Sequence, residues 1–137
     1  MDREEAWAKI KELCPDIKED KKLAWQIPQS GEWVLSNITC QRIAAYHKIL
    51  VTYEQPIEIM GNIVIKATAT NTLSGLKVES FGESNKDNTR IRYPISIAEK
   101  RAHDRVVLKA VDIYTTFYSE SEDSPDYNLR KPKTKEE

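Results

Sequence analysis

Residues 62–70, NIVIKATAT, alternate strictly between two sets of side chains, and this alternation constrains the fold more than any other feature of the sequence. One side of an extended chain would carry the apolar set, Ile63, Ile65, Ala67 and Ala69. The other side would carry the mixed set, Val64, Lys66, Thr68 and Thr70. A period of two residues is the period of a β-strand, so the segment predicts a strand with one apolar and one mixed face.

Two further strands are expected on either side of this segment. Residues 49–54, ILVTYE, are β-branched and aromatic, and the strand can resume after Pro56 as IEIM. A tight turn at Gly61 leads into the alternating segment, and a second turn at 71–75 leads out of it. Residues 76–84, LKVESFGES, supply the last strand. The three strands together predict an antiparallel meander.

The longest helix is predicted to begin at Pro94, because proline suits the first turn of a helix, and to continue through residues 95–114. Its sequence, ISIAEKRAHDRVVLKAVDIY, has the helical period. One face would carry an alanine-rich stripe of Ile95, Ala98, Ala102, Val106, Ala110 and Ile113. Small side chains let a helix lie close against a sheet, so we expect this stripe to pack on the meander.

Helices are also predicted before the meander. Asp2 and Glu5 form a helix-capping pattern, and Pro15 stops the helix that follows. A second helix is expected from about residue 38 to 47, and residues 27–33, IPQSGEW, are expected to form a loop. The predicted fold class is therefore α+β: N-terminal helices, then a β-β-β-α core in which a long helix packs on a three-stranded antiparallel meander.

The length of 137 residues suits one domain, which we place at residues 1–118. Residues 119–137, SESEDSPDYNLRKPKTKEE, have almost no apolar content and are expected to form a disordered, charged C-terminal tail. No apolar run approaches the ~18 residues that span a bilayer. The charged start, MDREEAW, does not resemble a signal peptide, so we expect a cytoplasmic protein.

The net charge of −1 hides an uneven distribution. Residues 90–109 carry six Lys and Arg side chains against two acidic ones. Three of the six, Arg101, Arg105 and Lys109, follow each other at helical spacing and would form a cationic ridge on one face of the long helix. Asp112 can pair with Lys109, but no acidic residue stands at helical pairing distance from Arg101 and Arg105. The ridge therefore favours either phosphate binding or a solvated face.

A second apolar patch is predicted on the far side of the long helix, formed by Ile97, Val107, Leu108 and Val111. Helices that are apolar on two sides are either enclosed within a domain or covered by a neighbouring subunit. We expect a homo-oligomer interface at this patch. The competing interpretation is that the N-terminal helix covers it.

Several kinds of chemistry are excluded or disfavoured by the residues that are missing. With four glycines and no G-x-x-x-x-G-K-[ST] segment, the chain has no P-loop, and we expect no nucleotide and no other cofactor. Two histidines and two cysteines are too few for His-rich metal sites, a disulfide framework or most catalytic triads. Cys14 and Cys40 are expected to be small buried side chains. We therefore expect no metal site, no catalytic residues and a non-enzymatic protein.

Residues 82–118 resemble a pattern of phage single-strand annealing proteins of the Rad-fifty-two, Erf and Sak-like superfamily. In that pattern a strand ends in a glycine and an acidic residue, a basic loop follows, and a helix of the type A-E-K-R-A-x-x-R-x-L crosses the sheet. This sequence has Gly82-Glu83, then Arg90 and Arg92, then AEKRA at 98–102 with Arg105 and Leu108. The upstream segment is similar to the same proteins, so the resemblance covers roughly residues 24–118.

The resemblance implies a β-β-β-α core and subunits arranged in a ring or filament. It also implies single-stranded DNA in a basic groove between sheet and helix, with ATP-independent annealing of complementary strands in homologous recombination. A phage-encoded protein would act in the host cytoplasm. The alternative is a non-enzymatic protein-interaction or structural module without annealing activity.

The candidate DNA-binding residues are the cations of the second strand, the loop and the long helix: Lys66, Arg90, Arg92, Lys100, Arg101, Arg105 and Lys109. Arg42 and Lys48 are weaker candidates of the same kind. Tyr93 and Phe81 lie near them in the sequence and are either core residues or platforms on which bases stack.

Overall fold

The structure is a computed structural model that describes residues 1–85, 94–114 and 116–122. Helices and strands alternate irregularly along the chain, which confirms the predicted α+β class. In chain order the elements are α1 (Arg3–Leu13), β1 (Ala24–Gln26), β2 (Trp33–Leu35), α2 (Asn37–Tyr46), β3 (Ile49–Tyr53), β4 (Ile57–Ile59), β5 (Asn62–Asn71), β6 (Lys77–Ser84), α3 (Pro94–Ala110) and β7 (Phe117–Ser119).

The N-terminal helices begin at side-chain caps. The Asp2 carboxylate accepts a hydrogen bond from the Glu5 backbone N–H at 2.9 Å, as the capping pattern predicts. At the start of α2, the Ser36 hydroxyl oxygen likewise accepts a hydrogen bond from the Thr39 backbone N–H, at 3.1 Å. α2 occupies the predicted position to within one residue at each end.

A small sheet that the sequence analysis did not predict joins residues 24–35 to residues 117–119. β1 and β2 pair antiparallel around the predicted loop, and β7 pairs parallel with β2, so that Trp33 lies opposite Phe117. Each strand has three residues, too few for a clear period of two. The pairing of β2 with β7 joins residues about eighty positions apart, which no local pattern reports.

The large sheet is built on β5. β6 pairs antiparallel along one side of β5, while β3 and β4 pair antiparallel along the other, β3 with residues 67–71 and β4 with residues 62–64. Ile65, Ala67 and Ala69 are buried, whereas the intervening side chains are half-exposed. This confirms the alternation read from the sequence. One face of the sheet is therefore covered, and the other is left open.

α3 covers the buried face of the large sheet and comes closest to it at Gly82 of β6. A Cβ atom placed on Gly82 would lie 2.1 Å from the Ala98 carbonyl oxygen and 2.4 Å from the Ala102 nitrogen. Ala98, Ala102 and Val106 are fully buried, so this part of the predicted stripe does pack on the sheet. Ile95, the first residue of the stripe, is exposed instead.

Candidate nucleic-acid interface

The predicted cationic ridge of α3 lies along the edge of β6, where Arg101 and Arg105 are held within the protein and Lys109 is exposed. Each of its three side chains donates to a carbonyl oxygen of β6, at every second strand residue. The donor–acceptor distances are 2.7 Å from Arg101 to Glu83, 2.8 Å from Arg105 to Phe81 and 3.5 Å from Lys109 to Glu79. Four helical residues rise ~6 Å and two strand residues ~6.7 Å, so the two repeats match closely. The ridge thereby covers a sheet edge that would otherwise present unpaired carbonyl groups.

Arg105 uses all five of its guanidinium N–H groups within the protein. Besides the Phe81 carbonyl, it donates through Nη1 and Nη2 to the two carboxylate oxygens of Glu83 at 2.8 and 3.1 Å. Nε and Nη2 donate to the two oxygens of Glu122. The hydrogen bonds to Glu122 raise the pKa of the guanidinium further, and hydrogen bonding to Arg105 lowers the pKa of the Glu83 carboxyl.

Arg101 is 3% exposed and donates through Nε to the Ser121 carbonyl at 2.8 Å. The expectation that Arg101 and Arg105 are exposed is therefore wrong, and Arg105 has two acidic partners, Glu83 and Glu122. The partners of Arg105 lie 17 and 22 residues away, beyond the reach of helical spacing rules. These two residues are not part of the interface proposed below.

The chain remains folded beyond the predicted domain end at residue 118. Ser119 belongs to β7, and Glu120 accepts a hydrogen bond from the Asn37 N–H at the start of α2, at 2.8 Å. Glu122 pairs with Arg105. The predicted start of the disordered tail at residue 119 is therefore wrong. Residues 119–122 complete β7 and place carboxylates that bind the start of α2 and Arg105 of α3. Residues 123–137 lie outside the described residues.

The predicted oligomer patch is enclosed within the chain. Ile97, Val107 and Leu108 are buried, and Val111 packs partly buried against the core. The core that contains Val107 and Leu108 also contains side chains of α1 and the β7 residue Phe117. Exposure of this patch was the reason for expecting subunit contacts there, so that expectation is wrong. The chain itself encloses the patch, and the side chains of α1 are only one part of the shared core.

A buried polar cluster, missed by the sequence analysis, centres on Asp104 of α3. Its carboxylate is fully buried and accepts from Asn37 Nδ2 at 2.8 Å and from Ser121 Oγ at 3.3 Å. His103 Nδ1 lies 2.8 Å from the same carboxylate. Burial, reinforced by Asp104, raises the pKa of the Cys40 thiol. The cluster ties α2, α3 and the C-terminal segment together.

Lys100 lies beside this cluster, exposed at a cleft of about 270 Å³ between α2, α3 and β3. Tyr53 and Glu99 also line the cleft. Burial, with the nearby Glu99 and Asp104 charges, raises the pKa of Tyr53 to about 12. One lysine next to two carboxylates is a weak phosphate site, since the local charge is not positive.

The open face of the large sheet carries the exposed aromatic ring of Phe81. We define the open sheet face by the outward residues of its strands: Leu50, Thr52, Ile57, Ile59, Val64, Lys66, Thr68, Thr70, Lys77, Glu79 and Phe81. Phe81 is 54% exposed and lies directly across from Lys66 of β5. Phe81 was expected to be either a core residue or a platform on which bases stack, and its exposure shows that the assignment to the core is wrong.

Lys66 is the predicted DNA-binding residue that the structure places on the open sheet face. Its ammonium lies 3.2 Å from Glu79 Oε1 and 3.7 Å from Glu54 Oε2. Hydrogen bonding to Glu79 raises the pKa of Lys66. Lys77 adds a second cation to the face. The sequence analysis did not select it, although it lies four residues before Phe81 in β6 and therefore on the same side of the strand.

The other described candidates lie elsewhere. Arg42 is on α2, where it lines a cavity of about 470 Å³ with Asp16 and Tyr46. Lys48 is exposed between α2 and β3 and has a left-handed backbone with φ of 57°. Arg90, Arg92 and Tyr93 lie outside the described residues. The described candidates therefore occupy several surfaces rather than a single groove between sheet and helix.

Three further properties concern the described part of the chain. No three His, Cys, Asp or Glu side chains among those residues lie close enough together to hold a metal ion. None of the helices in the same residues has the length and hydropathy needed to cross a membrane. Cys14 and Cys40 are both buried as free thiols, as expected.

Comparison of the chain with protein-family models, with curated proteins and with solved structures gives no match.

Proposed function

We propose that this protein binds single-stranded DNA on the open sheet face and promotes annealing of complementary strands without ATP, as phage recombination proteins of the superfamily it resembles do. One observation carries the proposal: the Phe81 ring is 54% exposed on the open sheet face, directly across from Lys66 of β5. Aromatic side chains on an accessible surface stack with any base, and neighbouring cations neutralise phosphates.

The face around Phe81 suits an extended polynucleotide. Thr52, Thr68 and Thr70 line it with hydroxyl groups, which can donate to phosphate and sugar oxygens. Lys77 supplies positive charge, whereas Lys66 must exchange its ion pairs with Glu54 and Glu79 for a phosphate. Arg90 and Arg92 follow β6 six and eight residues later in the sequence. Annealing needs no covalent chemistry, since a strand held extended with neutralised phosphates pairs faster with its complement.

The close contact at Gly82 supports the resemblance that underlies this proposal. Gly82 and the alanines 98 and 102 belong to the motif that the chain shares with annealing proteins, and they meet at one point. This position of the motif requires glycine, because any side chain there would displace α3 from the sheet. We propose that β3 to β6 and α3 form the β-β-β-α core of that superfamily.

Replacing Phe81 by alanine should weaken binding of a labelled 20-nucleotide strand by ~1–3 kcal/mol, about five- to 150-fold, because a stacked base contributes that much. The ring is exposed, so thermal stability should change little. Fluorescence anisotropy at several salt concentrations gives the affinity. With about four phosphates neutralised, the log–log salt slope should be about −3.

Two variants control this experiment. Phe81→Tyr keeps the ring and should bind like the wild type, and Ile95→Ala removes an exposed apolar side chain from α3 and should also leave affinity unchanged. Equal affinity of Phe81→Ala and the wild type would exclude the open sheet face as the DNA site.

A second function, protein interaction, is favoured by the apolar side chains at the two ends of the same face. Leu50, Ile57 and Ile59 are exposed there, and Met60 in the following turn is 95% exposed. Such residues are typical of surfaces that other proteins cover. A face used only in this way would show no affinity for the oligonucleotide at low salt.

A further inference from the structure

We infer that the cleft between α2, α3 and β3 is a hydrolytic site, in which His103 activates water for attack on a small, uncharged carboxylic ester. None of the described residues that line the cleft belongs to the open sheet face, so this activity is separate from DNA binding. A hydrolytic site departs from the expectation of a non-enzymatic protein. That expectation came from the small number of histidines, and a count does not show what surrounds each of them.

His103 is held in one orientation by a buried carboxylate. Its Nδ1 atom lies 2.8 Å from Oδ1 of Asp104, a side chain that is fully buried. The same oxygen accepts a hydrogen bond from Asn37 Nδ2, also at 2.8 Å. Because this oxygen accepts, Nδ1 carries the proton of the neutral ring and the lone pair is at Nε2. A carboxylate in this position also stabilises the imidazolium that forms when Nε2 takes up a proton.

The Nε2 atom of His103 is available to a ligand in the cleft. It has no hydrogen-bond partner among the residues that the structure describes. Nδ1 faces the buried carboxylate, so Nε2 faces away from it, on the side where the ring lines the cleft. The side chain is 16% exposed, so a small molecule can reach the ring although protein covers most of it. A histidine held by a carboxylate at one nitrogen and open at the other has the arrangement of a general base.

Two hydrogen-bond donors line the cleft together with His103 and suit the oxyanion that forms from a carbonyl group. Lys100 offers its ammonium group, and Tyr53 offers its hydroxyl. Burial, with the nearby Glu99 and Asp104 charges, raises the pKa of Tyr53 to about 12, so its hydroxyl keeps the proton at neutral pH. Donors placed where negative charge develops stabilise the transition state of ester hydrolysis.

The charge and size of the cleft select the class of substrate. Glu99 and the buried Asp104 outweigh the single positive charge of Lys100, which disfavours anionic substrates such as phosphate esters. The volume of about 270 Å³ lies below the ~300–1,000 Å³ of pockets that hold drug-sized ligands. A small ester without charge fits both conditions.

The reaction consumes only water and the ester. The water oxygen bonds to the carbonyl carbon as Nε2 of His103 takes one of the water protons, and the carbonyl oxygen becomes an oxyanion. When the oxyanion collapses, the bond between the carbonyl carbon and the alkoxy oxygen breaks, and its electron pair leaves with that oxygen. Nε2 then returns the proton to the same oxygen. The products are a carboxylic acid and an alcohol, and the ring is neutral again.

Release of p-nitrophenolate from p-nitrophenyl acetate by the full chain measures this activity. The wild type should exceed the rate in buffer, and His103→Gln should lower kcat/KM about 100-fold, since general-base catalysis commonly contributes that much. His47→Gln is the matched control, because the His47 ring binds the Leu13 carbonyl rather than a carboxylate, and it should retain the wild-type rate. p-Nitrophenyl phosphate should not be cleaved.

Asp104→Asn separates positioning of His103 from a purely structural role. The amide lacks the charge that stabilises the imidazolium and favours the wrong ring tautomer, so kcat should fall about tenfold or more while KM changes little. Circular dichroism shows whether the variant is folded, and if it is not, the two histidine variants decide. The inference is overturned if the wild type is no faster than His103→Gln, if both histidine variants lose activity equally, if folded Asp104→Asn keeps the wild-type kcat, or if the phosphate ester is cleaved as fast as the acetate.

Discussion

Gly82→Ala should destabilise the protein by about 3 kcal/mol or more, which is over half of the stability of a domain at the low end of the usual range, about 5 kcal/mol. The new methyl group would meet backbone atoms of α3 at 2.1 and 2.4 Å. Backbone cannot rotate away as a flexible side chain does, so the helix must shift off the sheet and open the core behind Ala98 and Ala102. Thermal or urea unfolding followed by circular dichroism measures the loss.

Gly75→Ala is the control for this substitution. Gly75 has φ of 81°, and no atom of the surrounding structure lies within 4 Å of the place that a Cβ atom would occupy. Alanine there meets backbone strain but no clash, at a cost of about 1 kcal/mol. A smaller loss for Gly82→Ala than for Gly75→Ala would contradict the close approach of α3 to β6.

Arg105→Met should lower the free energy of unfolding by about 2–4 kcal/mol. The substitution leaves the Glu83 and Glu122 carboxylates and the Phe81 carbonyl without their hydrogen-bond donor at a partly buried site. Lys109→Met at the exposed end of the same ridge is the control and should cost less than ~1 kcal/mol. Adding Glu83→Gln and Glu122→Gln to Arg105→Met should recover part of the loss, since neutral amides do not repel each other. No recovery would mean that the carboxylates are not the source of the cost.

The same variant should change how stability depends on pH. Arg105 lowers the pKa of Glu83 below its ordinary value of 4.5, so the ionised carboxylate stabilises the folded state above that pH. This contribution is lost as the pH falls from about 4.5 through the lower folded-state pKa. Glu83 is partly exposed, so the effect is screened. The wild type should lose more stability between pH 6 and 3.5 than Arg105→Met does.

The parts of the fold that follow from local periodicity could be predicted from the sequence, and those that depend on distant partners could not. The alternation in β5 and the alanines of α3 each mark a face that packs between sheet and helix, so this contact could be predicted directly. Arg105 looked unpaired because helical spacing rules search only one turn away, while its carboxylates come from β6 and the C-terminal segment. β7 was hidden in the same way, since its partner β2 lies at the other end of the domain.

The candidate site was only partly accessible from the sequence, for a different reason. Positive charge alone selected the residues, and charge does not distinguish a cation that binds a ligand from one that covers a strand edge. The period of two in β6 places Phe81 on the same side as Lys77 and Glu79, opposite Gly82. This alternation in β6 was the one feature of the sequence from which the position of the Phe81 ring on the mixed face could have been predicted.

Pairing of two complementary oligonucleotides, one with a fluorophore and one with a quencher, tests the proposed function most directly. In EDTA and without ATP, the wild-type protein should accelerate quenching several-fold over the spontaneous rate, and Phe81→Ala should lose most of that acceleration at the same protein concentration. Phe81→Tyr should retain it. A wild-type protein that leaves the rate unchanged, or that binds the strands and slows their pairing, would contradict annealing on the open sheet face.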